Sequence, residues 1–78
     1  MGNQDLETID IWSDIGSAAG DIYRAFAGSQ KPFHLMDAIS KTGRDEMLVK
    51  MALGWLSREG KVSISKDVRG LFQFRING

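Results

Sequence analysis

The chain has no cysteine, one proline and one histidine in its 78 residues. Without cysteine it can form no disulfide, thiolate zinc site, iron–sulfur cluster or cysteine nucleophile. A lone histidine, His34, leaves no multi-histidine metal site. No apolar run approaches the roughly 20 residues that cross a bilayer. The opening MGNQDLETID is acidic and lacks a signal-peptide core, and Leu6 stands where a myristoylation motif needs Ser or Thr. A cytoplasmic chain with no membrane role, no metal and no other cofactor is expected. Net charge is missing as well, with ten basic and ten acidic residues, and this balance counts against a simple basic nucleic-acid binder.

What charge there is lies unevenly. Residues 1 to 30 hold Asp5, Glu7, Asp10, Asp14 and Asp21 against Arg24. Base outnumbers acid in the rest, where six basic and four acidic residues between 31 and 61 are followed by Lys66, Arg69 and Arg75 against Asp67. Such a polarity can orient a domain on an anionic partner. At this length the chain makes one domain, burying roughly 60% of the surface its unfolded form exposes.

The strongest pattern is TGRDEMLVKMALGWLSREGKVSIS, residues 42 to 65. Val49, Leu53 and Leu56 fall at helical spacing, Gly60 ends the helix, and Val62 and Ile64 then alternate with Ser63 and Ser65 as in a strand. Upstream, a helix from about Asp10 to Ala27 collects Trp12, Ile15, Gly16, Ala19, Ile22, Tyr23 and Phe26 on one face. Its N-cap is Thr8, Asp10 or Ser13, and residues 1 to 8, which lack periodicity, are expected to be loose. Pro32 holds Lys31 extended, so Phe33-His34 suits a short strand. A second helix runs from about Leu35 to Lys41 with Leu35, Ala38 and Ile39 inward, and no Ser or Thr precedes it as a cap. Thr42-Gly43 turns the chain into a third helix from near Arg44 to Glu59. A hairpin then pairs Lys61 to Lys66 with Leu71 to Ile76, turning Phe72, Phe74 and Ile76 inward. Three helices and a C-terminal two-stranded wing, over residues 9 to 78, define an α+β winged helix-turn-helix fold.

IGSAAGDIYRAF and ALGWLSREGKV carry a resemblance. The chain resembles the small stand-alone winged helix-turn-helix proteins of prokaryotes whose first helix reads IG-x-x-AG-x-(I/V)-(W/Y) and whose third reads A-L-G-W-L-x-R-E-x-K-(I/V). Here the first signature is Ile15, Gly16, Ala19, Gly20, Ile22 and Tyr23. The second is Ala52, Leu53, Gly54, Trp55, Leu56, Arg58, Glu59, Lys61 and Val62. The likeness covers about residues 12 to 76 and implies the fold, in a family placed by fold and not by activity.

No nucleophile elbow, phosphate loop or metal-ligand spacing occurs, and none of the seven serines has a histidine and an acid beside it in a motif, so no enzymatic activity is expected. The leading expectation is DNA binding, with transcription regulation as its use, because a winged helix offers its third helix to the major groove and its wing to phosphates. Arg44, Lys50, Arg58, Lys66 and Arg69 are the candidate contacts. With too few cations for a tight monomer, a DNA-binding form is expected to be a homodimer or part of a larger complex. The alternative is a protein-interaction module, for which Met36, Met47 and Met51 would supply an adaptable apolar surface. A continuous positive strip from Lys50 to Lys66 would favour DNA, and a flat apolar patch at Met47 and Met51 a protein partner. Trp55 is expected to pack in the core against the first helix, and His34 to be an ordinary polar loop residue. Gly16, Gly20 and Gly54 each cost about 1 kcal/mol relative to alanine in a helix, which close packing of the first and third helices would offset.

Overall fold

A computed structural model describes the backbone of residues 2–77 and the side chains of residues 10–77. In chain order the elements are α1 (Gly2–Phe26), β1 (Phe33–His34), α2 (Leu35–Thr42), α3 (Glu46–Arg58), β2 (Val62–Lys66) and β3 (Phe72–Ile76). Helix α1 begins at Gly2 instead of near Asp10, so the segment expected to be loose is helical from Gly2, and Thr8, Asp10 and Ser13 lie inside the helix. No proline or glycine interrupts residues 3 to 15, so nothing in that stretch breaks the helical path. Its core face is Ile15, Ala18, Ala19 and Ile22, all buried.

Helix α2 solves its missing cap from the other side. Asp37, in its first turn, accepts a 2.8 Å hydrogen bond from the His34 backbone N–H, the reach-back half of a capping box. The helix ends where Gly43 takes a left-handed conformation (φ 66°) and donates its N–H to the Ile39 carbonyl at 2.8 Å. Asp45 then caps α3, accepting from the Met47 and Leu48 backbone N–H groups at 3.0 and 3.3 Å. That cap moves the helix start from Arg44 to Glu46. Val49, Ala52, Leu53 and Leu56 are its buried face, in the phase expected from the sequence.

The sheet is antiparallel in the order β1-β3-β2. Phe33 lies opposite Phe74, and Val62, Ile64 and Lys66 lie opposite Ile76, Phe74 and Phe72. Directly opposed residues share a face, so all six of the hairpin residues point the same way. Only the root of that face meets the helices. Val62 and Phe74 are buried, whereas Phe72, expected inward, is 59% exposed and Ile64 is exposed too, because the hairpin runs past the core. An aromatic column fastens sheet to helix: Phe26 stacks on Phe33 at 3.8 Å between ring centroids and 3° between planes, and Phe33 meets Phe74 at 5.8 Å.

His34 is more than a loop residue. Its Nε2 lies 2.9 Å from Asp67 Oδ2, and since an ionised carboxylate can only accept, Nε2 carries the proton. Asp67 Oδ1 meanwhile accepts from the Arg69 and Leu71 N–H groups at 2.8 and 3.0 Å, closing the wing turn in which Gly70 has φ 83°. One carboxylate therefore ties the wing tip to the start of α2. The His34 hydrogen bond, opposed by partial desolvation and aided by those two backbone donors, holds the Asp67 carboxyl down at about 2.

Two outcomes test this description. Leu53→Ala should cost roughly 2 to 5 kcal/mol by urea unfolding as a core truncation, while Lys50→Ala, on the exposed side of the same helix, should stay within about 0.5 kcal/mol. Equal small losses would remove the helix phase. Because the Asp67 carboxyl is depressed from 3.8 to about 2 on folding, its contribution to stability is full above the unfolded value and is lost as pH falls through the folded one. His34→Ala should return the Asp67 midpoint toward 3.8, read by carboxyl-carbon NMR titration; an unmoved midpoint would show that His34 does not hold it.

Candidate functional site

With Val49, Leu53 and Leu56 committed to the core, α3 turns Glu46, Lys50, Gly54 and Met47 to solvent. Beside this face lies an apolar groove of about 550 Å3. Lys50, Leu53 and Gly54 of α3 form its floor, and His34, Leu35 and Met36 at the start of α2 form one wall. Ile64, Leu71, Phe72 and Phe74 of the wing form the other.

The candidate cations are dispersed around the groove and largely engaged. Arg44 is held by α1, donating through Nε to Asp21 at 2.8 Å and through Nη2 to Ser17 at 2.9 Å. The Arg44 guanidinium, with Arg24 behind it, keeps the Asp21 carboxyl below the usual carboxylate range. Lys50 pairs with Glu46 one turn back at 2.9 Å. Lys66 sits over the Phe72 ring, 5.2 Å from its centroid, and Arg69 approaches Asp67 at 3.5 Å. Arg58 is exposed in the last turn of α3, on the side of Met47 and Met51 and away from the wing. The structure thus puts Lys50 in the floor of the groove and Lys66 beside it, over the Phe72 ring of its wall, with apolar side chains between them. Arg44 is tied into the scaffold.

Two expectations about packing are corrected. Trp55 does lie against α1, but at its margin: it is 41% exposed and faces Trp12, itself 65% exposed, with ring centroids 6.2 Å apart. Nor do the helical glycines mark close helix packing. A Cβ at Gly16 or Gly54 would meet nothing within 4 Å, and one at Gly20 would meet only the flexible end of Arg24. Met36, Met47 and Met51 are exposed as expected, although only Met36 belongs to the groove. Phe72, expected inward, instead joins Leu71, which immediately precedes β3, in the wing's side of the groove.

Among the described residues no group of three histidine, cysteine, aspartate or glutamate side chains could hold a metal ion, and no polar or charged side chain is buried. His34 Nε2 is engaged by Asp67 at 2.9 Å, while the Asp37 carboxylate lies 3.9 Å from Nδ1, beyond hydrogen-bond distance. No described helix is long and apolar enough to cross a membrane.

The chain is similar to a protein of Methanocaldococcus jannaschii known as uncharacterized protein MJ1608, at 42% identity over 59 residues, covering 74% of this chain and 84% of the relative. Its fold is similar to the solution NMR structure of protein BT2368 from Bacteroides thetaiotaomicron, with a TM-score of 0.71 and 25% identity, over 82% of this chain and 76% of that one. The family model for the winged helix-turn-helix domain DUF2582 matches residues 8–74, which together with the helix-turn-helix and wing geometry makes this chain a member of that family.

Proposed function

We propose that the domain is a non-enzymatic recognition module whose groove between α3 and the wing takes the apolar face of a partner helix. One observation carries the reading. Between Lys50 and Lys66, where a duplex reader would present continuous positive charge, the surface is an apolar groove walled by Met36, Ile64, Leu71 and Phe72. Phosphates gain nothing from such a surface, whereas apolar side chains arrayed along a helix do. Gly54 supports the same reading, since its cost of about 1 kcal/mol in the helix is not offset by any packing within the chain. A partner that comes close to the α3 backbone supplies the missing reason.

Duplex DNA is the second reading, with transcription regulation as its consequence. The fold, and the exposed positions of Lys50, Arg58, Lys66 and Arg69, favour it. Four phosphate contacts would give a salt slope of about −3.6 and a weak monomer affinity. In that model two copies on paired half-sites would be needed.

A display library of amphipathic helical peptides and a random-sequence duplex separate the two. The groove reading expects selected peptides with apolar residues at i, i+3, i+4 and i+7, and a loss of binding of about tenfold or more on Gly54→Leu. Gly54→Ala should stabilise the free domain by up to about 1 kcal/mol. Lys66→Glu with Arg69→Glu should change peptide binding far less than Gly54→Leu does. If instead no peptide depends on Gly54, and the duplex binds with a slope that the double reversal lowers by about two units, DNA is the ligand and the groove reading fails.

A further inference from the structure

A separate cavity of about 460 Å3 lies where the chain leaving α1 meets the end of β3. It shares no lining residue with the groove, and its volume falls in the range of small-molecule sites, roughly 300 to 1,000 Å3. Tyr23, Ala27 and Ile76 give it apolar surface, and both Tyr23 and Ile76 are anchored against the core. Ser29, Gln30 and Arg75 give it polar groups, and no aspartate or glutamate lines it. The loop on its helix side is held in place. Gly28 takes the left-handed conformation (φ 85°), and the Ser29 N–H donates to the Phe26 carbonyl at 3.1 Å. Ser29 Oγ accepts the Lys31 backbone N–H at 3.3 Å, which leaves its hydroxyl proton free to donate.

Arg75 gives the cavity its sign. Next to the buried Phe74 and opposite Ser63, it stands on the outer face of the sheet, where the other polar side chains satisfy one another. Gln73 donates to Ser65 at 3.3 Å, Ser63 to Asn77 at 2.8 Å, and Asn77 to the Gly60 carbonyl at 2.9 Å. Arg75 is left out of this set. Arg24 and Arg44 hold Asp21, and Arg69 approaches Asp67, but the Arg75 guanidinium has no carboxylate partner among the described residues. We infer that the cavity binds a small organic anion, its carboxylate or phosphate head on the Arg75 guanidinium and its apolar body against Tyr23, Ala27 and Ile76. The planar guanidinium fork takes two oxygens of such a head at once, and the Ser29 hydroxyl and Gln30 amide are further donors beside it. A metal cation would find no carboxylate in this lining. Because Arg75 is exposed, its ion pair contributes little alone, and the apolar body decides which anions bind.

Titration of the nitrogen-labelled full chain, followed by NMR through its backbone amides and arginine Nε–H groups, tests the site with four probes. Phenylacetate and phenyl phosphate carry both an apolar body and an anionic head. Phenylacetamide lacks the charge, and inorganic phosphate lacks the body. At least one of the first two should shift Gly28, Ser29, Gln30 and the Arg75 Nε–H saturably, with a Kd below about 10 mM, and the tighter of them identifies the head group. Phenylacetamide and inorganic phosphate should each bind tenfold more weakly or worse. Arg75→Gln should weaken the organic anion tenfold or more, and Arg75→Lys, which keeps the charge without the fork, should fall between it and wild type. Arg75 is exposed, so both variants should keep the fold, which circular dichroism checks, and Gln30→Ala provides a second variant on the loop side. The inference is overturned if neither organic anion saturates these signals, or if its shifts gather around Gly54 and Phe72 instead. Binding of phenylacetamide as tight as phenylacetate, of inorganic phosphate as tight as phenyl phosphate, or binding unchanged by Arg75→Gln would overturn it too.

Discussion

The seam between α1 and α3 sets everything else that this domain presents. Ile22 and Val49 are fully buried, and around them Ala18, Ala19, Ala52, Leu53 and Leu56 exclude water from both helices. Burying that set fixes α3 in one rotational phase, since at 100° per residue no other rotation hides all four of its buried residues. The same phase dictates what faces out. It sends Lys50 and Gly54 toward the wing, Trp55 toward Trp12 of α1, and Arg58 into solvent. The groove face of α3 is the complement of the core stripe, and a change that rotates α3 would dismantle both.

The wing and α2 are locked to this seam by two unlike devices. The Phe26–Phe33–Phe74 column carries the apolar connection from α1 into the sheet. The His34–Asp67 hydrogen bond carries a polar one from the start of α2 to the wing turn. Together they set the width of the groove, because Met36 on one wall lies two residues after His34 and the Leu71 N–H on the other is bound by the Asp67 carboxylate.

The sequence made the helix phases, the Gly43 turn, the strand after Pro32 and the wing legible, because each depends on local spacing or on a single residue with restricted backbone geometry. Pairings between residues far apart in the chain were not legible. Arg44 with Asp21, His34 with Asp67 and Trp12 with Trp55 are separated by 23, 33 and 43 positions, and such pairs leave no periodic trace. That is why Arg44 reads as a free contact in sequence and as a scaffold ion pair in structure. Phe72 reads as core for a related reason: alternation shows which face a strand residue occupies but not where the opposing layer ends. The helical glycines show only that something is anomalous, since the space around Gly16 and Gly54 alike is open, and it is the groove's lining that distinguishes Gly54.

The central claim is that this open space above Gly54 is a contact surface for the apolar face of a helix. Isotope-filtered nuclear Overhauser spectroscopy on the labelled chain mixed with an unlabelled, library-selected helical peptide reads it directly. The expected result is intermolecular contacts from the peptide's apolar side chains to the Gly54 α-protons and the Met36 methyl group, which line the groove. A bound peptide that leaves Gly54 and Met36 untouched would contradict it.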